Sequence, residues 1–180
     1  MLLNGILYNS ESWHSVTEKE LRMLEVVDEH LLRALVKGHS KTPLEFLYLE
    51  AGAVPIRYLI SCRRLLYHQV ILQRETSELT QRIYNAQKDD PTNGDFADLI
   101  FKDYNLIKEV QDDEKIRRTC KNKHKTEIKS KIKEAAFTYL KEKQIQHSKV
   151  RDIVYDVFET QKYMTRPLFS NNEVSMLHVL

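Results

Sequence analysis

With 180 residues, 42% of them hydrophobic and 30% charged, the chain has material for one core plus an extended appendage. Four glycines and four prolines are too few for a turn-rich β-sandwich or barrel. Cys62 and Cys120 alone do not make a secreted disulfide framework and fit a reducing compartment. The net charge of +2 is unevenly spread: residues 1–100 hold eleven Lys/Arg against fourteen Asp/Glu, residues 101–180 seventeen against twelve. An anionic partner is therefore expected on the second half.

The opening MLLNGILY has no basic lead and meets no small-residue cleavage site, so it is not read as a signal peptide. Residues 2–8 are apolar, a turn falls in Asn9-Ser10-Glu11-Ser12, and Trp13 is expected to anchor against later helices. Thr17-Glu18-Lys19-Glu20 is a capping box. Leu21, Leu24, Val27 or Asp28, Leu31 and Leu35 come next at helical spacing, and Gly38 is expected as the left-handed stop. Thr42-Pro43-Leu44-Glu45 repeats the device for a short helix closing at Gly52. Pro55 opens the next helix, whose apolar positions include Ile56, Leu59, Ile60, Leu66, Val70 and Ile71, with Arg57, Arg63, Arg64 and Arg74 decorating it. Those arginines either grip phosphate or form a solvated face with buried stems. A further helix is expected over residues 77–88. The loop Asp89-Asp90-Pro91-Thr92-Asn93-Gly94 then separates it from another over 95–104.

Residues 109–143 read as strongly helical and strongly basic. Arg117, Arg118, Lys121, Lys123, Lys125, Lys129, Lys131 and Lys133 stand against a lone Glu127. Ile116, Cys120, Ile128, Ile132 and Ala135 give only a thin apolar seam, which suits a long exposed helix. Such density matches sequence-blind binding to a nucleic-acid backbone; the competing reading is a solvated lysine-rich helix with no partner. Residues 135–139 and 150–158 are amphipathic, and the chain stops with the apolar face of its last segment still building, as if cut off.

No catalytic or metal constellation emerges. Cys120-x-x-x-His124 lacks a second ligand pair. Phe96-Ala97-Asp98-Leu99 resembles the aromatic-Ala-Asp-Asp box of polymerases, with leucine where the second carboxylate belongs. Glycines are not clustered into a phosphate loop, and His14, Ser15 and Glu18 do not make a hydrolase by proximity.

The front half resembles the segment after the polymerase core in reverse transcriptases of non-LTR retrotransposons. Leu2-Leu3-Asn4-Gly5-Ile6-Leu7-Tyr8-Asn9-Ser10-Glu11-Ser12-Trp13 is similar to the "LLYGSETW" stretch that enters their thumb. Residues 25–35, Ser40-Lys41-Thr42-Pro43, Glu45-Phe46-Leu47-Tyr48-Leu49-Glu50, Pro55-Ile56-Arg57-Tyr58 and Arg63-Arg64-Leu65-Leu66-Tyr67 are similar to the thumb segments C-terminal to that stretch in those enzymes. Tyr163-Met164 and the stretch from Phe169-Ser170-Asn171 to Glu173-Val174 resemble the segment before the cysteine/histidine knuckle. The resemblance implies a piece of a polyprotein whose polymerase acids, zinc ligands and nuclease lie elsewhere. It implies thumb helices beside a template–product duplex, with Arg57, Arg63 and Arg64 on phosphates and the lysine tract extending that surface.

The expectations are therefore an all-α chain: a bundle over 1–104, then a basic linker region over 105–180 with a long basic helix and a small C-terminal helical unit. It is expected to be non-catalytic and intracellular (nuclear or cytoplasmic), with no cofactor and no membrane contact. Its expected partners are nucleic-acid backbone and the remainder of the parent polyprotein. A helical protein–protein adaptor is the alternative, and a free-standing enzyme the third.

Overall fold

A computed structural model describes residues 5–13, 16–90, 92 and 94–147. Among these the fold is all-α, with seven α-helices and no strand. The helices are α1 (Glu18–Val36), α2 (Leu44–Ala51), α3 (Ile56–Leu72), α4 (Leu79–Asp89), α5 (Phe96–Leu106), α6 (Asp113–Arg118) and α7 (Lys121–Ile145). A single 3-10 turn, Ser10–Ser12, precedes them. The expected C-terminal helical unit and the 150–158 segment lie outside the described residues.

Helix α1 starts where its capping box requires. The Glu20 N–H donates to Thr17 Oγ1 at 3.3 Å and the Thr17 N–H to Glu20 Oε2 at 2.8 Å. Its inward face carries Asp28 rather than Val27: Asp28 is buried and Val27 is 40% exposed. The Asp28 carboxylate accepts from Tyr48 Oη on α2 at 2.6 Å and from the Ile56 N–H that opens α3. It caps α3 from another helix, where Pro55 has no capping side chain to give. Burial pushes the Asp28 carboxyl above its usual range, with the Tyr48 and Ile56 hydrogen bonds opposing.

The stop of α1 differs from the sequence reading by one residue. Lys37 takes the left-handed conformation, at φ 53°, and Gly38 comes after it. Glycine is required at 38 for space: a Cβ there would lie 2.6 Å from Leu47 Cδ2, on a leucine with 0% exposure. Helix α2 also lacks the second expected capping box. Pro43 is its N-cap without a side-chain bond, while Gly52 closes it at φ 60° as expected.

Helix α3 is the axle. Twelve of its seventeen residues are buried, so it is enclosed on nearly all sides. Around it lie Leu7 from the N-terminal segment, Tyr84 from α4, Ile100 and Tyr104 from α5, Ile116 from α6, and Ile128, Ile132 and Ala136 from α7. Trp13 packs on the edge of this core. A smaller cluster joins Leu32, Tyr48, Leu49 and Ala51 to Leu140 of α7. The core therefore runs across residue 104 rather than stopping there, and the basic helix is one of its walls.

Residues 109–143 do not form one helix. Thr119 and Cys120 are extended, with ψ 135° at both, and separate α6 from α7. Gln69 of α3 explains the break, since its amide donates to the Thr119 carbonyl at 2.9 Å. Arg117 Nε donates in return to the Leu72 carbonyl at the end of α3, at 3.1 Å.

Two substitutions at the α1–α2 corner separate space from conformation. Gly38→Ala is expected to cost about 1–3 kcal/mol through overpacking against Leu47. Lys37→Gly is expected to stabilise by up to about 1 kcal/mol by relieving the left-handed lysine. Urea unfolding of both variants checks the pair; equal effects of the same sign would refute the assignment.

Candidate nucleic-acid interface

Every fourth residue of α7 from His124 onward is buried: His124, Ile128, Ile132, Ala136, Leu140 and Gln144. Four residues overshoot one helical turn by about 40°, so this seam winds around α7 instead of running straight. It meets α3 first and then the α2 cluster, as the two hydrophobic groups record. The other positions fall into three parallel rows. One holds Lys121, Lys125, Lys129 and Lys133, the next Asn122, Thr126 and Ser130, and the third Lys123, Glu127 and Lys131.

The lysine row spans about 18 Å of helix axis with a cation roughly every 6 Å. Lys121, Lys125 and Lys133 are exposed and Lys129 is half-buried. No acid pairs with any of the four among the described residues, and the adjoining row is neutral between residues 122 and 130. On the far flank Glu127 stands between Lys123 and Lys131. Lys131 Nζ lies 2.7 Å from Glu109 and 3.1 Å from Glu127. Burial pulls the Lys131 pKa down, and these two carboxylates outweigh it to hold the group above its ordinary value. Lys129 shifts the other way, lowered first by partial desolvation and then by Lys125, with Lys133 adding to it and the Cys62 side chain opposing.

The arginines expected on phosphates are placed otherwise. Arg57 reaches Glu18 at 3.0 Å and Glu25 at 3.3 Å, tying α3 to α1. Arg63 Nη1 donates to the Leu7 carbonyl at 2.7 Å. Arg64 is buried, with Nε and Nη2 on the two carboxylate oxygens of Asp103 at 2.7 and 2.8 Å. Arg117 is engaged with Leu72, and Arg118 lies 2.6 Å from Glu114. Of the eleven cations singled out from sequence, Lys121, Lys123, Lys125, Lys129 and Lys133 have no internal ion pair among the described residues. The buried Cys62 thiol is drawn down by the charges of Lys129 and Arg63. Desolvation dominates there and pushes that thiol up to about 11.

A cluster of titratable groups in the interior lies under α4. His68 Nε2 is 2.8 Å from Tyr84 Oη and 3.5 Å from Asp113, while Gln111 Nε2 donates to Tyr84 Oη and Lys88 pairs with Asp113 at 2.7 Å. His68 has 0% exposure, and its Nδ1 has no protein partner. Burial lowers its pKa to about 4, with the Asp113 charge opposing. Apart from that Nδ1, these groups are hydrogen-bonded or paired with one another and brace α3 against α4 and α6. Asp98, in the box that resembles a polymerase motif, sits on helix α5 and accepts from the Gly94 N–H at 2.8 Å and Lys102 Nζ at 2.7 Å. Among the described residues no three His, Cys, Asp or Glu side chains come together to hold a metal. Nor is any described helix long and apolar enough to cross a membrane.

Sequence reasoning had the lysines but missed their order. The four-residue spacing was visible in the sequence, whereas its meaning depends on knowing which row is buried. Comparison with protein-family models, curated proteins and solved structures finds no match to this chain.

Arg64→Met is expected to destabilise the fold by about 3–5 kcal/mol by leaving Asp103 charged and unpaired. Arg64→Met with Asp103→Leu should recover most of that loss, because the pair's desolvation cost disappears with its attraction. Denaturant titration of the three proteins checks this, and a double variant no better than the single one would refute it.

Stability should also depend on pH through His68. Its folded pKa lies below the unfolded value of 6.5, so its contribution is complete above pH 6.5 and is lost as pH falls towards 4. The slope in that window is expected to be on the order of 1 kcal/mol per pH unit. His68→Gln should remove that slope, which the wild-type-minus-variant difference in urea unfolding isolates from Asp28 and His124.

Proposed function

We propose that this chain is a non-catalytic helical part of a retroelement reverse transcriptase polyprotein, supplying thumb and linker helices that contact nucleic-acid backbone without reading sequence. The assignment to retroelements rests on the resemblance of residues 2–13, 25–35 and 40–67. The contact with nucleic acid rests on one observation, the acid-free row Lys121–Lys125–Lys129–Lys133 beside a neutral row. Like charges at this spacing destabilise a helix by about 0.2–0.5 kcal/mol per pair, so a wall helix with no anionic partner gains nothing from the row. The contact set is narrower than the sequence suggested: it is the row itself, and Arg57, Arg64, Arg117, Arg118 and Lys131 serve the fold. The partners are RNA or DNA backbone and the remainder of the polyprotein, in the nucleus or cytoplasm, with no cofactor.

A second reading, a helical protein–protein adaptor, is favoured by the outer face of α1. Met23, Val26 and Val27 are 63%, 51% and 40% exposed there. Association through that face would be insensitive to salt.

Fluorescence anisotropy with a duplex across a salt series tests the first reading. Binding should weaken with a log–log slope of about −0.9 per phosphate contact. Changing Lys121, Lys125, Lys129 and Lys133 together to Gln should reduce that slope by about three units or more, and Lys131→Gln should leave it unchanged. Absence of binding at low salt, or a slope indifferent to the fourfold change, would overturn the proposal.

A further inference from the structure

Three buried polar atoms, on three different helices, have no protein partner: His68 Nδ1 on α3, Tyr104 Oη on α5 and His124 Nε2 on α7. Their residues are 0%, 4% and 5% exposed. The His68 and Tyr104 rings meet edge to face, with centroids 6.0 Å apart. His124 is hydrogen-bonded to the backbone of Leu65. Leu65 precedes His68 by three residues and so lies on the same face of α3, one turn away.

The protons of the surrounding groups can be placed one by one. The Tyr84 hydroxyl donates to Asp113 at 3.4 Å and accepts from Gln111 Nε2 at 2.8 Å. Its 2.8 Å contact with His68 Nε2 is therefore donated by the imidazole, which leaves Nδ1 as a bare lone pair. At His124 the nitrogen that donates to the Leu65 carbonyl is Nδ1, because Nε2 has no partner, so Nε2 is a second bare lone pair. Tyr104 Oη brings the opposite need, a hydroxyl proton to donate. Pairing within the trio cannot satisfy all three, since one proton serves only one nitrogen. A water molecule matches the set, accepting one hydrogen bond and donating two.

We propose that His68, Tyr104 and His124 hold one internal water molecule that joins α7 to α3 and α5. Tyr104 Oη donates to its oxygen, and its two hydrogens go to His68 Nδ1 and His124 Nε2. Three partners are the usual number for a water buried in a protein. The site gives a reason for the first residue of the buried α7 row, a histidine where the next two are isoleucines. The helix docks there through a shared solvent molecule instead of an apolar contact. None of the three side chains belongs to the lysine row, so the site does not depend on the nucleic-acid reading.

The test uses the full chain in solution, without nucleic acid. Water-selective NMR on the isotope-labelled protein should show nuclear Overhauser cross-peaks from one long-lived water to the ring protons of His68, Tyr104 and His124. Tyr104→Phe should lower the urea midpoint by about 0.5 M, one net hydrogen bond divided by the urea sensitivity of a small domain. A hydroxyl that held nothing would do the reverse, since its removal would relieve a desolvated group. His124→Leu combined with Tyr104→Phe should cost less than the two changes add up to separately, because both remove partners of the same water. Absent cross-peaks, a midpoint raised by Tyr104→Phe, or strictly additive effects would overturn the proposal.

Discussion

A helix that buries every fourth residue must wind its contact surface, because the backbone completes a turn in about 3.6 residues. That mismatch in α7 organises much of the molecule. His124, Ile128, Ile132 and Ala136 fit against α3, and by Leu140 the seam has rotated far enough to meet α2. A straight apolar stripe would have held α7 beside one neighbour. The winding seam lets a single helix close both hydrophobic clusters, so α7 is a wall of the core although its composition reads as solvent-exposed. It also fixes the remaining rows: once the buried row is chosen, Lys121, Lys125, Lys129 and Lys133 must lie together on its flank.

Burial of charge sets the arrangement of the other helices around α3. Arg64 and Asp103 fix α3 against α5 through two parallel hydrogen bonds, and Asp28 fixes α1 and α2 against the first turn of α3. Such groups add little net stability compared with apolar replacements, since desolvation offsets most of their attraction. Their geometry is demanding, however, and a sliding or rotated helix would leave a bare charge inside. The polar interior therefore works as a set of register marks, with Gln69 on the Thr119 carbonyl placing the kink that turns α6 into α7.

Local signals were readable in advance where the physics is local. The Thr17–Glu20 capping box and the Gly52 stop are satisfied by atoms within a few residues, and sequence placed both. Gly38 was recognised as special for a wrong reason, because the demand on it comes from Leu47, nine residues away and on another helix. Long-range partners were invisible. Nothing in Arg57, Arg63 or Arg64 announces that Glu18, the Leu7 carbonyl and Asp103 will occupy them, since each partner is 39 or more positions away in sequence. The lysine tract lay between these extremes: its spacing was on view, but the seam that orients it is a tertiary fact.

The two lysine-bearing rows of α7 provide an internal control on what the charges are for. Both belong to the same helix, share its propensities and face the same solvent. In one, Glu127 separates Lys123 from Lys131, and Glu109 arrives from the α5–α6 connection to complete the pairing. That is the arrangement expected when helix stability alone selects the residues, because opposite charges four apart support a helix and like charges oppose it. The other row keeps four like charges in succession, with neutral Asn122, Thr126 and Ser130 beside them where acids would relieve the repulsion. A helix able to compensate its charge on one flank leaves it uncompensated on the other. Among the described residues the second row therefore carries a repulsion that the packing of its buried neighbour must offset.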